Sequence, residues 1–259
     1  MPPTIEIRFI GLAVCTVLLT TSFRIEAQIA MDTAADPAYD NGWQQGDNGG
    51  FGFSPWSVAA SGILTSSSNN GDPPPSGNID TAGRSWTLAD RGPGDFGAVR
   101  GLNAALAVGQ KFLVDLDIGS LAGDEVFRLE GSGFGERFSF GHLAGDSNYK
   151  IFTTSTDTGI PLTFDGLHLE FTLTGADTFS VAITPNGGST ATFSGSLSNP
   201  GDSIVGFILF GSNSLEDPSQ DSFINSIAVV PEPSSYATIT AILLIAGACW
   251  RRFRQRRLT

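Results

Sequence analysis

Phe112-Leu113-Val114-Asp115-Leu116-Asp117-Ile118 alternates in type along its length. In an extended chain successive side chains point to opposite faces. Phe112, Val114, Leu116 and Ile118 therefore share one face, and both aspartates lie on the other. That is the signature of a half-buried strand.

The same habit recurs on either side. Glu125 to Glu130 alternates less cleanly, and Phe138 and Phe140 share a face opposite Ser139. Leu167, Leu169, Phe171 and Leu173 point one way while His168, Glu170 and Thr172 point the other. Phe179, Val181 and Ile183 repeat this before Thr184-Pro185-Asn186-Gly187-Gly188 turns the chain. Ile204 to Phe210 is apolar on both faces and reads as a central strand. Phe223 to Val229 is the last strand. No comparable 3.6-residue pattern occurs in the body, and 32 Gly and 14 Pro supply turns. Many strands with turn-rich connections predict an all-β fold, an antiparallel β-sandwich or jelly roll. No fixed-period repeat suggests a solenoid. Residues before Gly101 are looser and richer in Gly, Asn and Asp, as opening strands with long loops. Ser66 to Asn78 is a loop stiffened by Pro73-Pro74-Pro75.

Two apolar runs flank this body. Ile10 to Thr21, preceded by Arg8 and followed by small and polar residues to Ala27, has the order of a secretory signal peptide, an N-terminal signal helix. At the other end Tyr236 to Trp250 carries no charge. As a helix it is about 22 Å long, short of the roughly 30 Å hydrocarbon core. Its flanks favour the membrane. Tyr236 and Trp250 bracket it as interfacial aromatics, and Arg251, Arg252, Arg254, Arg256 and Arg257 follow. Long arginine side chains ease the length mismatch by snorkelling. The chain thus divides into a signal peptide (1–27), a sandwich body (28–229) and a tail with a single transmembrane helix (230–259).

Pro231-Glu232-Pro233, the short apolar helix and the arginine cluster together resemble the PEP-CTERM sorting signal, a tail also catalogued as an ice-binding protein C-terminal domain. The resemblance covers about a tenth of the chain. It implies recognition by an exosortase, removal of the tail near the Pro-Glu-Pro hinge, and delivery to the cell surface or extracellular matrix. The body loosely resembles concanavalin-like jelly rolls in pattern alone, and that carries no site residues.

Charge and cysteine narrow the classes. The body holds seven Lys and Arg against twenty-three Asp and Glu, a net of −16 that the C-terminal arginines reduce to −12 for the whole chain. So acidic a surface argues against nucleic acid as a partner. Both cysteines, Cys15 and Cys249, fall outside the body, so no disulfide staples it.

Signatures of catalysis are sparse. There is no Gly-x-Ser-x-Gly elbow, P-loop or Cys-x-x-Cys. His142 and His168 are too few for a zinc site without carboxylates. Glu130, Glu136 and Glu170 are available for carboxylate-pair chemistry. Calcium needs hard oxygen ligands on flexible loops, for which Asp36, Asp40, Asp217 and Asp221 are the candidates. Glycan binding needs exposed aromatic faces, for which Trp43, Trp56 and Trp86 are the candidates; the competing reading puts all three in the core. Threonines at 153–156 and 189–192 form two patches, not the wide array a flat ice-binding face requires. The expectation is an exported, non-enzymatic surface or matrix protein that associates with extracellular polysaccharide, with no obligatory cofactor. A jelly-roll glycoside hydrolase or lyase and a purely structural matrix protein are the alternatives.

Overall fold

The computed structural model describes residues 29–59, 63–68, 78–88, 95–118, 123–212 and 221–231. The signal segment, the tail from Glu232 onward and Asp217 lie outside the described residues. The described residues form fifteen strands: β1 Ala30–Asp32, β2 Ser57–Ala59, β3 Ile63–Ser66, β4 Ser85–Leu88, β5 Asp95–Gly101, β6 Gln110–Asp117, β7 Asp124–Glu130, β8 Glu136–His142, β9 Asn148–Ile151, β10 Thr156–Pro161, β11 Leu167–Gly175, β12 Thr178–Pro185, β13 Ala191–Ser196, β14 Gly206–Ser212 and β15 Ser222–Pro231. Helix is confined to three short 3₁₀ turns among the described residues.

The strands form two antiparallel sheets packed as a β-sandwich. One runs β13-β12-β11-β6-β15-β4-β3, with β1 added to the far half of β15; the other runs β10-β9-β8-β7-β14-β5-β2. The stretch 112–118 explains the arrangement. Phe112, Val114 and Leu116 pair with Phe171, Leu169 and Leu167 of β11, and all six are fully buried. Asp115 and Lys111 face outward, where they meet His168 at 2.7 Å and Glu170 at 2.8 Å. Across the core, Phe112 lies 5.8 Å from Phe127 and 5.2 Å from Phe207 of the opposite sheet, between ring centroids. Phe138 lies 5.0 Å from Phe171 and 5.1 Å from Phe179. Each such aromatic pair contributes roughly 0.5–1.5 kcal/mol beyond its buried area.

β14 occupies the interior position expected of 204–210, between β7 and β5, although it starts two residues later, at Gly206. Its two apolar faces have different roles. Phe207 and Leu209 are buried in the core. Ile208 and Phe210 are half-buried on the outer face of the seven-stranded sheet.

Two features depart from expectation. The last strand does not stop at Val229: β15 continues through Pro231, which pairs with Gln110. A proline at a strand's final position forgoes only one ladder bond. Pro231 therefore belongs to the sheet and not to a hinge. In addition, the loose N-terminal region stitches the two sheets together. Met31 bridges Phe51, and Phe53 bridges Leu102 beyond β5. Residues 51–53 thereby cover one open side of the sandwich, which removes an exposed edge.

Candidate functional site

The three tryptophans are core. Trp43, Trp56 and Trp86 are buried and packed edge-to-face, with Trp43 4.9 Å and Trp86 5.3 Å from Trp56. Their burial leaves no face for a sugar ring, which corrects the stacking role considered for them. The reason is a polar network that the N-terminal loops wrap around Arg100. Its guanidinium pairs with the buried Asp32 carboxylate and donates to Asn48 Oδ1 at 2.9 Å, the Gly49 carbonyl at 2.8 Å and the Ser54 carbonyl at 2.7 Å. It also lies 5.0 Å from the Phe53 ring centroid and 5.1 Å from that of Trp56. Tyr39 donates to Asp32 and accepts from Trp56 Nε1 and Gly49 N, each at 3.1 Å. Burial, reinforced by Asp32, pushes the Tyr39 hydroxyl well above its ordinary value. The network fixes the loops from which Trp43 and Trp56 project inward against Trp86 of β4.

The calcium candidates are dispersed. Asp36 caps a 3₁₀ turn, accepting from Ala38 N at 2.9 Å and Gly50 N at 3.1 Å. Asp40 pairs with Arg84 at 3.0 Å. Asp221 is buried just before β15. Among the described residues no three His, Cys, Asp or Glu side chains converge to hold a metal ion.

One buried constellation superficially suggests catalysis. Ser222 donates to Glu125 Oε1 at 2.8 Å, and His142 Nε2 lies 3.4 Å from Glu125 Oε2. Here the carboxylate stands between hydroxyl and imidazole. A nucleophilic serine needs the imidazole as its own partner, and all three side chains are fully buried. Burial alone would lower the His142 pKa, but the hydrogen bond and charge of Glu125 outweigh it and the net direction is upward. The group is structural.

At the β7–β8 turn the outer face of the seven-stranded sheet forms a recess of about 330 Å³, lined among others by Pro55, Ser57, Val99, Glu130, Phe134 and Gly206. The turn reads Gly131-Ser132-Gly133-Phe134-Gly135 and is closed by a Gly131 N–H to Gly135 carbonyl bond of 2.7 Å. Gly133 and Phe134 both take left-handed conformations, φ 70° and φ 65°. Glycine does so freely, but a bulky side chain pays a steric penalty. Nothing in the core compensates Phe134, which is 70% exposed. Asp202 clamps the turn from below: it accepts from Ser132 Oγ at 2.9 Å, and a Cβ at Gly131 would sit 2.1 Å from Asp202 Oδ2. A strained, exposed aromatic on a clamped turn marks a functional position more than a packing one.

The recess also has a polar wall. Glu130 is buried and held by Arg128, whose Nε donates at 2.9 Å. Arg128 in turn lies 5.2 Å from the Phe210 ring centroid. Cross-strand register places Val99, Ile208 and Arg128 in one outward row and Gly97, Phe210, Val126 and Gly141 in the next. The two glycines leave space on either side of Phe210 and Val126. The surface offers an apolar floor, an ion-paired carboxylate acceptor, hydroxyls of Ser54 and Ser57, and a projecting ring. Phe134 was missed in the sequence, although a lone aromatic among three glycines has no helical or strand face to join. Glu130 was weighed there only as half of a hydrolytic pair. The structure ties it to Arg128, while its cross-strand neighbour Glu136 accepts from Ser198 at 3.2 Å.

The chain matches no protein-family model and no curated protein. Solved structures similar to it include a protein of unknown function from Shewanella oneidensis (12% identity, TM-score 0.43, covering 89% of this chain and 97% of that one). A lectin from Bauhinia forficata in complex with GalNAc is also similar (9%, TM-score 0.42, 79% and 97%). So is a carbohydrate esterase of the Shiga toxin-encoding bacteriophage phi24B (16%, TM-score 0.40, 68% and 90%). The site stands on this chain's own residues.

Proposed function

We propose that the protein is exported, sorted by its C-terminal tail to the cell surface or extracellular matrix, and binds extracellular polysaccharide without cleaving it. The binding surface is the recess at the β7–β8 turn. The observation that carries this reading is Phe134, 70% exposed at φ 65° in the same recess as the buried Glu130. An exposed ring beside an ion-paired acceptor combines the apolar platform and the hydroxyl partner that a sugar needs. Exosortase and the membrane are the partners of the tail, and the polysaccharide is the partner of the body. Affinity electrophoresis of the full-length chain through gels cast with neutral and acidic polysaccharides tests this. Retardation by at least one polymer, abolished in Glu130→Gln or Phe134→Ala, is expected. Unretarded migration in every gel would remove the binding function. Burial of all three tryptophans favours a second reading, a structural matrix protein without a glycan ligand, and that null result is what it predicts.

A further inference from the structure

β13, Ala191-Thr192-Phe193-Ser194-Gly195-Ser196, ends its sheet and pairs only with β12 among the described residues. The bonds at the strand ends show which backbone groups that pairing uses. Leu197 N–H donates to the Asp177 carbonyl at 2.9 Å, and 197 opposite 177 continues the register of Ser196 with Thr178. In an antiparallel ladder, bonded and non-bonded pairs alternate. Gly195, Phe193 and Ala191 therefore bond to Phe179, Val181 and Ile183. The far side of β12 agrees. Asn186 N–H donates to the Gly166 carbonyl at 3.0 Å, which assigns the even-numbered residues of β12 to β11.

Thr192, Ser194 and Ser196 are left over. Their N–H and C=O groups point away from β12, and none meets a protein partner among the described residues. All three residues are exposed. Such a row is a template for another strand, and proteins blunt it with charge, proline or a bulge. β10, the end strand of the opposite sheet, carries all three devices: Asp157, Pro161 and a register shift between them. β13 has neither charge nor proline, and its register with β12 runs unbroken. One edge is protected against pairing and the other is left open to it.

The open edge is complementary to itself. Consider an antiparallel copy related by a twofold axis at Ser194. Ser194 then faces its own counterpart, and Thr192 faces Ser196 of the second copy. That register uses every free N–H and C=O of the three residues. It sets hydroxyl against hydroxyl on the outer face, a favourable cross-strand pairing. On the inner face Phe193 stands opposite Gly195 of the second copy, so the two rings do not collide. A cationic partner would find no carboxylate on this strand, and two strongly acidic bodies can approach only through an uncharged surface. β13 is such a surface.

We infer that the protein forms a symmetric dimer in which β13 pairs with β13 of a second copy, joining two sheets into one. This is an isologous interface. It does not depend on the polysaccharide-binding reading.

Analytical ultracentrifugation of the full-length chain in detergent, over a concentration series, gives the first test. A monomer–dimer equilibrium is expected. Ser194→Lys should weaken it about tenfold or more, by setting two ammonium groups face to face across the axis. Lysine is a residue that free edges carry, so the melting temperature should not change. The second test is Ser194→Cys in a chain that also carries Cys15→Ala and Cys249→Ala. Bonded partners lie about 5.5 Å apart between Cα atoms, within disulfide reach. Mild oxidation should therefore cross-link two chains, whereas Thr178→Cys, exposed one strand inward, should stay uncross-linked. A monomer at every concentration overturns the dimer. A dimer that Ser194→Lys leaves intact, or that Thr178→Cys cross-links as readily as Ser194→Cys, puts the interface elsewhere and overturns the role of β13.

Discussion

Replacing Phe134 with glycine should move stability and binding in opposite directions. A non-glycine residue in the left-handed region carries roughly 1–2 kcal/mol of steric cost. Phe134 sits there at φ 65°, and glycine removes that cost. Against this, glycine makes the unfolded chain more flexible, which costs about 0.5–1 kcal/mol. Burial contributes little to the balance, because the side chain is 70% exposed. The net expectation is a variant as stable as the parent or more stable by up to about 1.5 kcal/mol, from the difference of those two terms. Binding should fall at least tenfold, about 1.4 kcal/mol, because the projecting ring is gone. Urea denaturation gives the first quantity and calorimetric titration with a retained polysaccharide gives the second. Destabilisation by more than about 1 kcal/mol, the usual centre of damaging substitutions, would show that Phe134 is a packing residue. Unchanged affinity would show that the turn is not the binding surface. Either result refutes the reasoning from strain to function.

Other expectations follow from the interior. Arg100→Met should destabilise the body by about 3–5 kcal/mol, since it leaves the Asp32 carboxylate buried without its cation; a denaturant midpoint close to that of the parent would contradict the network's role. Stability should decline as pH rises from 6 to 8. His142 and His168 are both held above the ordinary histidine value of about 6.5, so their contribution is complete below that value and is lost as pH passes through the folded ones. His142, fully buried against Glu125, carries most of the effect, while His168 is partly screened. A melting temperature that climbs over this range would contradict the assignment. In a strain with active exosortase, mass spectrometry should find mature protein that retains Pro231, held in β15, and lacks the arginine cluster; an intact tail would sink the sorting reading.

The sandwich was legible because its strands repeat a two-residue period. Phe112 to Ile118 and Leu167 to Leu173 each declare a core face and a solvent face, and those faces pair across β6 and β11. The apolar double face of 204–210 correctly marked an interior strand. Its outer face, Ile208 and Phe210, is only half-buried, a distinction that one-dimensional hydrophobicity does not carry. The N-terminal half was opaque for a different reason. Asp32, Asn48, Gly49, Ser54 and Arg100 form one network around the buried Arg100–Asp32 pair, over a span of 68 residues. A polar residue read alone suggests surface, so the sequence left the tryptophans beside these polar loops open to two readings, core and exposed platform, and burial decides for the core. Pro231 reads as a strand stop in sequence, yet its place at the end of β15 keeps it in the sheet. Phe134 left a usable signal, a large ring among glycines, but its meaning depends on the φ angle and on Asp202 from a distant loop.

The most direct test of the central claim is hydrogen–deuterium exchange of the full-length chain with and without a saturating polysaccharide that retains it. Slowed exchange is expected at residues 130–135, 55–57 and 204–207, with little change near His142, at the other end of β8, and near Ser222 of the other sheet. Protection confined to the His142 end, or no protection in the β7–β8 turn, would contradict it.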